Sequence, residues 1–123
     1  MSLVITEERV EHVPVLALAG ELDIYTVDAF RRAAEPMREH EAVIVDMGNV
    51  ELVDSSGLGA LLALCRAPDG RRTVVLVCAG PAIPQLLELT RLDEHFLAVD
   101  DRPAALAALR AEGVGLAGDA FSG

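Results

Sequence analysis

Apolar and polar positions along this chain follow two periods, and each change of period marks an element boundary. Val4 to Thr6 and Val13 to Ala19 read as two strands, joined by the polar segment Glu7-Glu8-Arg9-Val10-Glu11-His12, which predicts an antiparallel pair. Gly20-Glu21-Leu22-Asp23 then turns the chain. From about Thr26 to His40 the period is helical, with Phe30, Ala33, Ala34 and Met37 on one face and Arg31, Arg32, Glu35, Arg38 and Glu39 outside. Pro36 within that stretch should kink or locally unwind it.

An apolar, β-branched run from Ala42 to Val45 ends at Asp46, and a short loop leads to Asp54-Ser55-Ser56-Gly57. There a second helix opens, with Leu58, Leu61, Leu62 and Cys65 at helical spacing. Pro68-Asp69-Gly70 forces a turn into Thr73-Val74-Val75-Leu76-Val77-Cys78, which is apolar on both sides of the pleat and so belongs in mid-sheet under helices. Pro81 opens a third helix with Ile83, Leu86, Leu87 and Leu89 inward, and Phe96 to Val99 is a short strand. A last helix, from about Arg102 or Pro103 to Arg110, turns Ala105, Leu106 and Leu109 inward, and Gly113 to Gly123 reads as a flexible tail. Strands alternating with helices after an initial strand pair predict a single α/β domain with a mixed sheet.

Composition narrows what such a domain can do. Hydrophobic residues make up 52% of the 123, but aromatics only 3% with no Trp, so the core is aliphatic and stacking platforms for single-stranded nucleic acid are lacking. The formal charge of -10 repels phosphate backbones and anionic membrane surfaces, which predicts no nucleic-acid partner. No apolar run approaches the roughly 20 residues of a membrane span, and no basic and apolar leader opens the chain, so no membrane insertion and a cytoplasmic protein are expected. Cys65 and Cys78 belong to no C-x-x-C unit and read as buried free thiols.

The chemistry concentrates at the second helix start. A helix N-terminus offers unpaired N–H groups and the positive end of the macrodipole, so a phosphate on Ser55 or Ser56 would be tolerated by the fold. The plain alternative is that one of these serines is only an N-cap. Neither serine fits the Gly-x-Ser-x-Gly pattern of a hydrolase elbow, since Val53 and Asp54 stand two residues before them. His12, His40 and His95 show no catalytic or metal-ligand spacing, and Gly57-Leu58-Gly59 lacks the third glycine or lysine of a nucleotide loop, so no cofactor and no metal are expected. Asp23 read alone is a loop or cap residue.

Gly20-Glu21-Leu22-Asp23, the strand ending at Asp46, Val53-Asp54-Ser55-Ser56-Gly57-Leu58-Gly59, the Pro81-Ala82-Ile83 helix start and Leu86-Leu87-Glu88-Leu89-Thr90 occur in a characteristic order and spacing. Together they resemble the anti-sigma factor antagonists built on the STAS domain, over roughly residues 3 to 112. The resemblance implies the STAS fold, a mixed β-sheet of about five strands with four α-helices, in a domain spanning 1–112. It also implies a partner-switching protein that is not an enzyme. The unphosphorylated form would bind an anti-sigma factor with serine-kinase activity and free a sigma factor, phosphorylation at Ser55 would release it, and a metal-dependent serine phosphatase would restore binding. Carried over by position, Ser55 is the phosphate acceptor, with Ser56 second. Glu21, Asp23, Tyr25, Asp54, Ser56, Gly57, Leu58 and Gly59 form or shape the partner face, the two glycines permitting close approach. The alternative is a STAS binding module that does not switch: a subunit of a transport or signalling assembly, or a binder of an anion or nucleotide at the Ser55 to Gly59 helix start. Two departures stand out. Pro68 should stop the motif helix about one turn after Cys65, and Arg91 replaces a common Gly, so no left-handed cap is expected there.

Overall fold

Residues 2–68 and 70–114 are described by the computed structural model. The first two strands, β1 (Leu3–Val10) and β2 (Val13–Leu22), pair antiparallel in register from Leu3 opposite Gly20 to Val10 opposite Val13. What the composition suggested was a six-residue polar loop is strand up to Val10, closed by only Glu11 and His12. Both take positive φ, 50° and 69°, as a type I′ hairpin turn requires, although neither is the glycine or asparagine that favours it. Gly20-Glu21-Leu22 is likewise strand and not turn. At Gly20, with φ +112°, a Cβ would lie 2.3 Å from the Ser2 carbonyl oxygen, so only glycine fits.

Helix α1 (Val27–Ala34) gives way to a 3-10 segment, Glu35–Glu39, at the position of Pro36, which removes a helical donor. β3 (Ala42–Val53) runs seven residues past the predicted end at Asp46. Its second half pairs with β2 through irregularities between Ala17 and Ala19 and between Gly20 and Glu21, so Val50 and Val53 reach the same core three residues apart and the alternation is hidden. Helix α2 (Ser55–Leu64) buries Leu58, Leu61 and Leu64, with Cys65 already its C-cap. A small hairpin, β4 (Arg66–Ala67) with β5 (Gly70–Arg71), follows; Asp69 of the predicted turn lies outside the described residues.

β6 (Thr73–Val77), α3 (Ala82–Leu89), β7 (Leu97–Val99) and α4 (Arg102–Ala111) complete a five-stranded sheet of order β1-β2-β3-β6-β7, parallel except for β1. Crossovers that advance in one direction place their helices on one face. α1, α2 and α3 therefore cover a cluster built on Leu16, Val45, Leu61 and Leu76. α4 returns over the other face, onto Val15, Ile44 and Val75. Arg102 pins its start, donating from Nε to Asp46 Oδ2 at 2.9 Å and from Nη1 to Glu8 Oε1 at 2.6 Å, and this holds the Glu8 carboxyl below its ordinary range.

Two details of α3 depart from expectation. Leu89 is 83% exposed, because Leu87 and Leu89 stand about 200° apart on the helix and Leu87 holds the core position. The left-handed cap is present despite Arg91, whose φ is 60°. Arg91 N–H donates to the Glu88 carbonyl at 3.1 Å and Leu92 N–H to that of Leu87 at 2.8 Å, a complete Schellman motif. α4 ends the same way around Gly113, with Val114 N–H on Leu109 O and the Val114 side chain against the second cluster. The rest of the predicted tail, residues 115–123, lies outside the described residues.

Candidate functional site

Parallel strands β2 and β3 end side by side, and their exits carry the motif residues. After Leu22 the chain turns through Asp23 to Thr26. Asp23 is 4% exposed, and its Oδ1 accepts from Tyr25 N–H at 2.9 Å and Thr26 N–H at 3.1 Å, while Thr26 Oγ1 donates to the Glu21 carbonyl at 2.7 Å. Asp23 is therefore the internal brace of a tight loop. The same turn pushes Ile24 and Tyr25 outward, 64% and 77% exposed.

Asp54 joins this loop to α2. It is the N-cap, with Oδ1 accepting from Gly57 N–H at 3.0 Å, while Oδ2 accepts from Ile24 N–H at 3.1 Å. Its own N–H donates to the Leu22 carbonyl at 3.2 Å. One carboxylate thus fixes two chain segments thirty residues apart. Because Asp54 supplies the cap, neither serine is needed for it. Ser55 and Ser56 occupy the first two helical positions, where backbone N–H groups have no helical carbonyl to reach. Ser55 is exposed and Ser56 half-buried, and neither hydroxyl has a hydrogen-bond partner among the described residues.

The two glycines differ. A Cβ on Gly57 would stand 2.5 Å from the Leu22 carbonyl oxygen, so this glycine lets α2 sit on the end of β2 and is itself buried. Gly59 has nothing within 4 Å and faces solvent. Leu58 is 9% exposed and packs into the core. Glu21 is half-buried. The structure thus gathers Asp23, Tyr25, Asp54 and Ser55 at one sheet edge, but turns Asp23, Gly57 and Leu58 inward. Reading the sequence missed Ile24, whose signal was an apolar residue beside an aromatic in an otherwise polar turn, and Leu52, which is 46% exposed just before the motif.

The three histidines lie elsewhere. His12, His40 and His95 precede β2, β3 and β7 at the N-terminal edge of the parallel strands, whereas Ser55 follows β3 at the C-terminal edge. None is placed to take a proton from the Ser55 hydroxyl. No group of three or more His, Cys, Asp or Glu side chains suited to a metal ion occurs among the described residues, and no described helix is long and apolar enough to cross a membrane.

Comparison with known proteins places these features in a family. The family described as Mlab, STAS domain matches residues 5–99. The anti-sigma F factor antagonist of Paenibacillus polymyxa is 29% identical over 113 residues, 89% of this chain and 97% of its own. The anti-sigma-B factor antagonist of Listeria monocytogenes is 28% identical over 97 residues, 76% of this chain and 84% of its own. The crystal structure of an anti-sigma factor antagonist from Mycobacterium paratuberculosis superposes with a TM-score of 0.79 at 28% identity, covering 89% of this chain and 95% of that one.

Proposed function

The chain belongs to the STAS domain family, and from that premise we propose that it is a cytoplasmic anti-sigma factor antagonist acting by partner switching. Residues 1–112 form the working domain, and the protein acts by binding and not by catalysis. The unphosphorylated form binds an anti-sigma factor that is also a serine kinase and so frees a sigma factor; phosphate on Ser55 ends that binding, and a metal-dependent phosphatase restores it. The observation that carries this reading is the Ser55 hydroxyl, exposed and unengaged at the first position of a helix whose cap is provided by Asp54.

A phosphate there meets unpaired N–H groups and the positive end of the helix dipole, so the fold survives its addition. The partner does not fare as well. Ile24 and Tyr25 offer an apolar contact next to Ser55, and phosphorylation adds about -1.5 to -2 charges beside it. Against one partner carboxylate ~6 Å away at an effective dielectric of ~20, the repulsion is on the order of 3 kcal/mol per unit charge pair before salt screening. A hundredfold loss of affinity needs only about 2.8 kcal/mol.

The test is recovery of bound proteins from native lysate with wild type, Ser55→Ala and Ser55→Asp, identified by mass spectrometry. Wild type and Ser55→Ala are expected to capture an ATPase-fold kinase, Ser55→Ala regardless of ATP, and Ser55→Asp to lose it by about a hundredfold in affinity while keeping its melting temperature. Equal recovery of the same partners by all three would establish a STAS module that does not switch.

A further inference from the structure

At the end of α2 away from Ser55, a groove of about 300 Å3 runs between α2 and α1 with its 3-10 extension. Its apolar lining is Ala34, Ala60 and Ala63 with the buried Phe30 and Leu64. Around it stand Arg31, Arg38, Arg66 and Arg72, four of the ten basic residues in the chain; among the described residues one carboxylate, Glu35, lines it, and Asp28 pairs with Arg31 outside it. A protein of formal charge -10 thus holds a local excess of positive charge over an apolar floor.

Three of these charges, on Arg31, Arg38 and Arg66, are exposed. Arg66 has no ion-pair partner among the described residues. Among the described residues Arg31 and Arg38 pair within their own turn, with Asp28 at 3.3 Å and Glu35 at 2.5 Å, and such exposed pairs exchange partners at little cost. Arg72, 3% exposed, is engaged by four backbone carbonyls and serves to fix the groove wall, not to meet a ligand. We propose that this groove docks an acidic amphipathic helix of a partner protein, with its apolar side on the apolar floor and its carboxylates on the arginine rim. Alanines on the floor let a helix backbone approach closely. Arg31 on α1 and Arg38 on its 3-10 extension line the same groove, so carboxylates spaced along one face of the partner helix would meet both. A small amphipathic anion is the lesser fit, because it would use one arginine and leave the others unanswered.

The proposal is independent of phosphorylation at Ser55 and is tested with the full chain, isotopically labelled for amide NMR. The probe is a synthetic helical peptide of about four turns, leucine and alanine on one side and glutamate on the other, beside a counterpart with lysine for glutamate and beside decanoate. The acidic peptide is expected to shift the amides of Ala34, Ala60 and Ala63, to bind more weakly as salt is raised, and to bind Ser55→Asp as it binds wild type. Arg38→Glu with Arg66→Glu, both exposed side chains whose carbonyls remain for Arg72, should weaken it by about tenfold or more. Equal binding of the lysine peptide, undiminished binding to the double variant, or shifts confined to the Ser55 end would overturn the proposal. So would decanoate shifting these amides while the acidic peptide shifts none.

Discussion

At the N-terminal end of α2 a carboxylate, Asp54, receives the Gly57 N–H; at the C-terminal end a guanidinium, Arg72, donates to the Leu64 carbonyl. Each side chain has the charge that suits its end of the helix dipole, yet the two ends are built differently. Arg72 is sealed in: Nη1 reaches Leu64 O at 2.6 Å and Arg66 O at 2.7 Å, Nε reaches His40 O at 2.8 Å and Nη2 reaches Arg38 O at 3.0 Å. Asp54 is only half-buried and stands beside an exposed, unengaged Ser55. One end is fixed by a buried cation, while the other is rigid in backbone but open to chemical change. A switch site needs that second combination.

The contrast breaks most severely at the sealed end. Arg72→Met strips four carbonyls of their donor and should cost about 3 to 5 kcal/mol, read as a lower denaturant midpoint. Gly57→Ala comes next, since its Cβ would press on backbone at 2.5 Å; about 2 kcal/mol or more should be lost. Asp54→Ala should cost about 1 to 2 kcal/mol and speed hydrogen exchange at the Gly57 and Ile24 amides together. Asp54→Asn sharpens the point, because a single amide oxygen can protect only one of the two. The smallest effect has the opposite sign: Gly59→Ala, in open space on the same helix, should gain roughly 0.5 to 1 kcal/mol.

How far these ends could be read beforehand follows from what holds them. The start of α2 is local: Asp54 and Gly57 are three residues apart, and the helix start was legible from the pattern around them. The end is not, because Arg72 sits between Arg71 and Thr73 like any solvated arginine, and the carbonyls that bury it come from as far as Arg38. The same division holds across the fold. Helix faces, the doubly covered β6 and the order of elements follow local periods, whereas the second half of β3 reads as a loop because its irregular pairing breaks alternation. Backbone at Glu11, His12 and Arg91 takes left-handed conformations that their side chains do not advertise, set by hairpin register and helix end and not by residue type. At the site, Asp23 and Asp54 were legible as residues that matter, but only the folded chain shows one as an internal brace and the other as a tie between two segments.

The two buried cysteines have a practical consequence. Burial pushes the Cys65 and Cys78 thiols up to about 11, so both stay protonated at pH 8 and the native protein should resist alkylation. Each adduct that does form therefore dates an opening event. Cys65 keeps time for the sealed end of α2 and Cys78 for the end of β6, two clocks already wound into the chain that need no engineered label.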